Sequence, residues 1–346
     1  MRINREQLVN VLEKVAPALG SNVLVPEFQY FQIDGDRIQA TDGTMIIDAT
    51  LLENTGLKCA VMGRSFLDLL KGLDKEEIEL IHKESKVKVK TDKIEGTFAV
   101  LDEVKMENIS FPSVRYEEVP LEISSDLIKG IRFCRWGVSK DEASGALRGV
   151  KIKDNLVLST DRYRITKYEL SNHLPFDCSL PSKFIDVLLR NEDEVSEMKY
   201  ILGEKFVVRF QDGTIIVTAV LIGEYPDVLQ YFPTTPSEEV KFMGGQELAI
   251  ERHISFLRNV DYLDKNIQVS IQGNKCILTS KDRELGELVE ELEVSIERDC
   301  VDIKFDVNPI FLRDIIDLCS GFKYYSVEGL VLFEAGKLKY LVQTRR

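Results

Sequence analysis

The sequence predicts an α+β chain built from three similar modules, each with two helices packed on antiparallel sheets. Three recurring patterns predict it. First, Asp36–Leu51 (DRIQATDGTMIIDATL), Asp154–Leu170 and Asn274–Val289 each alternate apolar and polar residues on both sides of a polar turn, which is a hairpin pattern. Their turn residues Asp42, Asp161 and Lys281 lie 119 and 120 residues apart. Second, an apolar run with an aspartate at a matching position follows each hairpin, from Ser65, Lys183 and Phe311, carrying Asp68, Asp186 and Asp314. Third, a helical segment precedes each hairpin, from Arg5, Ser125 and Gln246.

The first helix follows from Leu8, Val11, Leu12 and Val15, which fall at i, i+3, i+4 and i+7 on one face. Asn4 and Gln7 have the spacing of an N-cap and its third-residue partner. The helix from Ser125 is expected to run to Val138, with Leu127, Ile131, Cys134 and Val138 as its apolar stripe. After each second helix, period-two segments broken by G-E, D-G, E-G or A-G turns read as further strands. Phe111-Pro112-Ser113 and Pro233-Thr234-Thr235-Pro236-Ser237 read as linkers, because proline favours extended backbone. The expected domains are therefore residues 1–115, 116–238 and 239–346.

Composition limits the function. At 346 residues and 44% apolar content the chain can build sizeable cores, and no apolar run of eighteen residues occurs. The N-terminal stretch lacks a signal-peptide pattern, so a cytoplasmic protein is expected. Six scattered cysteines, none in a C-x-x-C pair, fit reduced thiols, and His82, His173 and His253 supply no metal-ligand spacing. A net charge of −13 argues against wholesale wrapping of nucleic acid but leaves room for a local basic surface. No G-x-S-x-G, Walker, H-E-x-x-H or G-x-G-x-x-G motif occurs, and the repeated aspartates sit in separate helices, where solvated or capping roles are expected. Three copies of one scaffold without a shared histidine read as a binding platform without cofactor, metal or catalytic residues.

Leu147-Arg148-Gly149-Val150 followed by Leu158-Ser159-Thr160-Asp161-Arg162-Tyr163-Arg164-Ile165 resembles the central signature of bacterial β sliding clamps. Gly223-Glu224-Tyr225-Pro226-Asp227 is similar to the G-x-[FY]-P-D-[YF] motif of that family. Val23-Leu24-Val25-Pro26 and Thr41-Asp42-Gly43 match first-domain features. The resemblance spans the whole length, with the motifs in order. It implies the non-catalytic processivity subunit of DNA polymerase III: three DNA-clamp domains per chain, two chains closing head to tail into a homodimer ring, helices lining the hole and sheets outside. The implied partners are non-specific duplex DNA, the polymerase catalytic subunit, the clamp loader and other proteins that carry clamp-binding peptides.

Sliding requires weak, sequence-blind contact, so basic residues on the helices are the expected DNA-facing set. Lys129, Arg132 and Arg135 form one stripe, joined by Arg64, Lys71, Lys183, Arg190, Arg252 and Arg258. Carried over residue by residue, the partner-peptide cleft comprises Leu147, Thr160, Arg162, Tyr163, Arg164, Ile165, Pro226, Tyr231, Val342, Thr344 and Arg345. Arg164 would hold its rim, and Leu147 with Ile165 its floor. The dimer seam would place Phe98 and Val100 opposite Val260, Tyr262 and Leu263. Several positions depart from the family pattern. Arg162 and Tyr163 stand where many clamps have Gly and His, Gln230 stands where some have Arg, and the tail proline is absent from Val342-Gln343-Thr344-Arg345-Arg346. These departures point to a divergent copy with an altered peptide preference. A clamp-shaped scaffold or decoy that no longer encircles DNA is the alternative. A repeat-built enzyme with a site assembled between domains is a further one.

Overall fold

The computed structural model describes residues 1–21, 25–101, 118–121, 124–201, 204–234, 238–296 and 302–345, and within them one element order occurs three times. The order is strand, helix, four strands, helix, three strands. The first copy runs β1 (Arg2–Asn4), α1 (Arg5–Val15), β2 (Tyr30–Asp34), β3 (Arg37–Thr41), β4 (Met45–Thr50), β5 (Lys58–Met62), α2 (Gly63–Lys71), β6 (Glu77–Lys83), β7 (Lys86–Lys90) and β8 (Glu95–Leu101). The second runs β9 (Glu118–Leu121), α3 (Ser125–Cys134), β10 (Gly149–Lys153), β11 (Leu156–Thr160), β12 (Arg164–Glu169), β13 (Asp177–Pro181), α4 (Ser182–Arg190), β14 (Val195–Ile201), β15 (Lys205–Phe210) and β16 (Ile215–Ala219). The third runs β17 (Glu238–Phe242), α5 (Gln246–Phe256), β18 (Ile267–Gln272), β19 (Lys275–Asp282), β20 (Gly286–Ile296), β21 (Ile303–Val307), α6 (Pro309–Arg313), β22 (Gly321–Tyr325), β23 (Leu330–Ala335) and β24 (Leu338–Gln343). Val23, Leu24, the 111–113 linker, the 115/116 boundary, residues 235–237, Cys300 and Arg346 lie outside the described residues.

Local chemistry explains the starts and stops. The Asn4 side chain accepts a hydrogen bond from the Gln7 backbone N–H at 3.0 Å and caps α1, whose Leu8, Leu12 and Val15 are buried. Asn308 caps α6 in the same way, with Pro309 at its first turn. α3 is shorter than the spacing predicts. It ends at Cys134, and Arg135–Gly137 tighten into a 3₁₀ turn. A Cβ on Gly137 would lie 2.5 Å from Ser159 Oγ, so only glycine lets this turn sit so close to β11. Leu127, Ile131, Cys134 and Val138 are nonetheless all buried.

The elements group into two compact units. One contains Met1–Ser124 with Lys183–Val220, and the other Ser125–Ser182 with Leu221–Arg346. The middle third of the chain thus contributes strands to both. In the first unit a twelve-stranded antiparallel sheet runs β1-β6-β7-β8-β5-β2-β3-β4-β16-β15-β14-β9. α1 packs on β3 and β4 and against α2, over a core that includes Leu8, Phe31, Ile47, Phe66, Phe184 and Phe206. In the second unit the order is β13-β10-β11-β12-β24-β23-β22-β17-β20-β19-β18-β21. There α3 packs on β11 and β12, and α5 packs against α6 and β20.

Each sheet contains one junction between strands of successive copies. β4 pairs with β16, from Met45↔Thr218 to Asp48↔Ile215. β12 pairs with β24, from Arg164↔Val342 to Tyr168↔Leu338. Met45 and Arg164 are both the first residue of their strand, so the two junctions match position for position.

Candidate functional site

The hairpin turns ahead of β4 and β12 are built alike. Thr41 Oγ1 donates to the Met45 carbonyl at 3.0 Å, and Asp42 Oδ1 accepts from the Thr44 and Met45 N–H groups. Thr160 Oγ1 donates to the Arg164 carbonyl at 2.7 Å, and Asp161 Oδ1 accepts from the Tyr163 and Arg164 N–H groups. The short side chains satisfy backbone groups that the turn would otherwise leave open. In the third copy the aspartate is one residue later than expected. Asp282, not Lys281, accepts from Glu284 and Leu285.

Beyond the turns the junctions differ. Arg164 is only 3% exposed. Its Nε donates to Asp161 at 2.9 Å, its Nη1 to Asp314 at 2.5 Å and Tyr340 at 2.7 Å, and its Nη2 to the Tyr262 hydroxyl at 3.2 Å. The guanidinium also lies 4.4 Å from the centre of the Phe311 ring. Burial disfavours its charge, but Tyr340, Asp161, Tyr262 and Asp314 outweigh that and hold it protonated. Arg164 is therefore a sequestered pillar rather than a rim residue, because all three of its nitrogens are committed inside the unit. Asp314, at the C-cap of α6, is half-buried and ion-paired with Arg164 rather than simply solvated. At the other junction, Met45 fills the Arg164 position, and Met45 and its cross-strand partner Thr218 are both about 1% exposed.

Beside the Arg164 pillar lies a cavity of about 870 Å³. Eight of the eleven expected cleft residues line it: Leu147, Thr160, Arg162, Tyr163, Arg164, Ile165, Pro226 and Tyr231. Three do not. Strand alternation turns Leu341 and Gln343 of β24 toward the cavity, so Val342 is fully buried on the opposite face. Thr344 donates to the Gly329 carbonyl, and Arg345 Nη2 to the Leu263 carbonyl. Val228, Phe232, Leu330 and Glu328 also line the cavity, and the sequence reading missed them. Only the apolar character of Val228, Phe232 and Leu330 could have signalled them. The floor is continuous with a cluster of Leu158, Ile165, Val228, Tyr325, Leu332 and Leu341. Its lip carries Tyr163, Gln230 and Tyr231, the last 57% exposed.

The expected DNA-facing residues are all exposed and all lie on or directly after helices. They are not equivalent. Lys71 pairs with Glu13, Lys183 with Asp42 and Arg252 with Glu290, which neutralises three of the nine locally. Even so, the six described α-helices carry ten Lys and Arg against seven Asp and Glu, a net of +3 in a chain of net −13.

Of the expected seam residues, Phe98 and Val100 lie half-buried on β8, with Phe98 edge-on to Phe66 at 5.3 Å. Val260, Tyr262 and Leu263 follow α5, and Tyr262 is engaged by Arg164. Among the described residues β8 and β20 each keep a stretch of open edge, as do the end strands β1, β9, β13 and β21. Glu95–Ala99 of β8 pair only with β7, and Gly286–Glu293 of β20 pair only with β19. No group of three or more His, Cys, Asp or Glu among the described residues is placed to hold a metal ion. No described helix is long and apolar enough to cross a membrane.

Known proteins resemble this chain in sequence and fold. Residues 1–121 match the N-terminal domain of the DNA polymerase III beta subunit family. A beta sliding clamp of Chlamydia muridarum is 21% identical over 91% of this chain and 88% of its own. One from Mycoplasma pneumoniae is 20% identical over 98% and 94%. Among solved structures, the DNA polymerase III beta chain of Streptococcus pneumoniae superposes over 100% of this chain and 99% of its own, with a TM-score of 0.81 and 17% identity. The DNA polymerase sliding clamp of Bacillus subtilis does so over 100% and 98%, with a TM-score of 0.80 and 18% identity.

Proposed function

We propose that this chain, a divergent relative of the bacterial β sliding clamps, is a processivity factor that closes as a two-chain ring around duplex DNA. One observation carries the reading. The same inter-copy strand pairing occurs twice, β4 with β16 and β12 with β24, and the strands that would form a third such pairing, β20 and β8, both keep a stretch of open edge. A second copy supplies the missing partner for each, so two equivalent head-to-tail contacts close the assembly and remove the edges. Exposed apolar side chains support the match. Exposed Leu248, Leu285 and Val289 accompany β20, and exposed Ile94 precedes β8.

The three-domain division at 115/116 and 238/239 belongs to the same proposal, with helices inward and sheets outward. Helices that are mildly basic in an acidic chain suit weak phosphate contact without tight pairing. The cavity beside Arg164 is the docking site for clamp-binding peptides of the replicative polymerase, the clamp loader and other replication proteins in the cytoplasm. The chain itself supplies no catalytic step.

The test has two parts. Sedimentation should give a mass near twice 39.5 kDa, and a monomer at micromolar concentration would exclude the ring. Loaded onto nicked circular DNA, the protein should stay bound until the circle is linearised. Charge reversal of Lys129, Arg132 and Arg135 should weaken that retention. Retention that ignores both linearisation and the reversal would favour a scaffold that does not encircle DNA.

A further inference from the structure

We infer that His253, buried between α5 and the hairpin of β19 and β20, is a pH-sensitive latch on the ring: neutral, it holds the seam strand β20 in place, and protonated, it releases that strand, so the two-chain ring opens in mild acid. This rests on the ring reading above and adds its regulation.

An imidazole stands here where the other copies bury hydrocarbon. His253 is the eighth residue of α5, as Leu12 is of α1, and Ile131 occupies the same turn of α3. All three are 0% exposed. Leucine or isoleucine fills such a site without polar cost, whereas a buried imidazole needs partners for two nitrogens. His253 has one partner. Its Nδ1 lies 2.6 Å from the Oγ of Ser280, itself fully buried on β19, and its Nε2 meets no hydrogen-bond partner among the described residues. A neutral ring leaves only an idle acceptor there. A second proton puts an N–H and a full charge there with nothing to receive them.

The contact lies where the seam forms. Ser280 pairs across the hairpin with Leu288, and Leu278 with Glu290, both in the Gly286–Glu293 stretch whose edge is open. α5 packs on β20, and Arg252 beside His253 is ion-paired with Glu290. The charged surroundings do not rescue an imidazolium. Glu290 of β20 favours the charge, but Arg252 engages that carboxylate and itself opposes the charge. Beyond Ser280 on β19, Lys281 is exposed and Asp282 is bound into the turn, while Cys276 is a neutral thiol that burial pushes up to about 12. α6 offers Arg313, the Ile316–Leu318 turn Asp317, and α5 itself Glu247 and Glu251, all exposed. Lys265 is committed to the Leu257 carbonyl. Burial therefore dominates and lowers the His253 pKa below the ordinary 6.5. Once β20 lifts and water enters, the ring regains its ordinary proton affinity, so the seam is held above about pH 6.5 and weakens as pH falls below it.

Sedimentation of the full chain over a concentration series, from about pH 7.5 to about pH 4.5, gives the dimer dissociation constant across the His and carboxylate ranges. Far-UV circular dichroism and Trp136 fluorescence show whether the separated chains stay folded. One proton per seam weakens each seam up to about tenfold one pH unit below 6.5, so the constant of the two-seam ring should rise by up to about a hundredfold. His253→Leu, which copies Leu12, and His253→Gln, which can keep a hydrogen bond to Ser280, should both flatten that rise. If the weakening survives in either variant, or the wild-type chains separate only as they unfold, this inference falls while the ring stands. A wild-type loss that begins only in the carboxylate range, below about pH 5, overturns it without the variants. If the chain is a monomer already at about pH 7.5, the ring falls and this inference with it.

Discussion

The β4–β16 and β12–β24 junctions are the same construction packed with opposite materials. The first closes over hydrocarbon, with Met45 buried and Ile47 paired with buried Ile216, and its turn aspartate reaches Lys183 at a half-exposed position. Lys14, which bonds Asp212 at 2.5 Å and Glu194 at 3.5 Å, adds another partly exposed pair. Pairs of that kind contribute about 0–1 kcal/mol each. The second closes over a guanidinium with two carboxylates and two tyrosine hydroxyls, and it keeps a cavity beside them. A hydrocarbon seam is held by area and needs no exact partner. An ionic seam holds only while every member is present, because a lone buried charge is costly. The molecule places the unforgiving version where the cavity wall must keep a fixed shape.

The comparison can be broken most sharply at Arg164. Arg164→Met copies the first junction but strands Asp161 and Asp314, and we expect a loss of about 3–5 kcal/mol in urea unfolding. Trp136, the single tryptophan, lies in the same unit with its ring 6.4 Å from Tyr340 and gives a local signal. Adding Asp314→Leu should recover part of that loss, and a double variant no better than the single one would refute the ionic-seam account. The converse change, Met45→Arg, puts a cation where the turn carboxylate, Asp42, is already engaged by Lys183. It should cost about 2–4 kcal/mol and lower the first unfolding transition seen by far-UV circular dichroism.

Mild acid should separate the two units further. His253 is fully buried, with Nδ1 2.6 Å from Ser280 Oγ, and burial lowers its pKa below the ordinary 6.5. Its unfolded form takes up a proton before its folded form does, so the second unit should lose stability as pH falls below about 6.5. The effect should be on the order of 1 kcal/mol and absent in His253→Gln. In the first unit, burial opposes ionisation of Asp42, but Lys183 and the Met45 and Thr44 groups outweigh it and lower its pKa. That contribution is lost only as pH falls below 3.8, so Trp136 should report acid weakening before the first unit does. The smallest expected effect is at Arg162, which holds φ = 78°, in the left-handed region, where the first copy has Gly43 at φ = 88°. Arg162→Gly restores the Gly43 arrangement and should stabilise the second unit by up to about 1 kcal/mol, offset in part by glycine's greater unfolded freedom.

Much of this was legible in the sequence. The three-fold element order followed from hairpin spacing, and the Asn4 cap and the α3 stripe from residue type and period. The turn at Thr160 lies at the cavity. What the sequence hid was depth and phase. Arg164 reads as a surface charge until the fold brings Asp314, 150 residues away, against it. Leu341 and Val342 are both apolar in a strand buried on both faces, so alternation alone could not say which faces the cavity. Val228, Phe232 and Leu330 join the lining from distant loops and strands, which no local spacing records. In the third turn, one residue of drift moved the capping aspartate to 282.

The chain alternates between its units, passing from the first to the second, back at Lys183 and out again after Val220. On a ribosome, the β4 edge therefore waits uncovered while the whole Ser125–Ser182 stretch is made, roughly 3–12 s at typical elongation rates. A nascent chain halted there would present a bare, pairing-competent margin. Neither unit can be expressed by simple truncation, and a chaperone or a slow codon run has its natural place between residues 125 and 220.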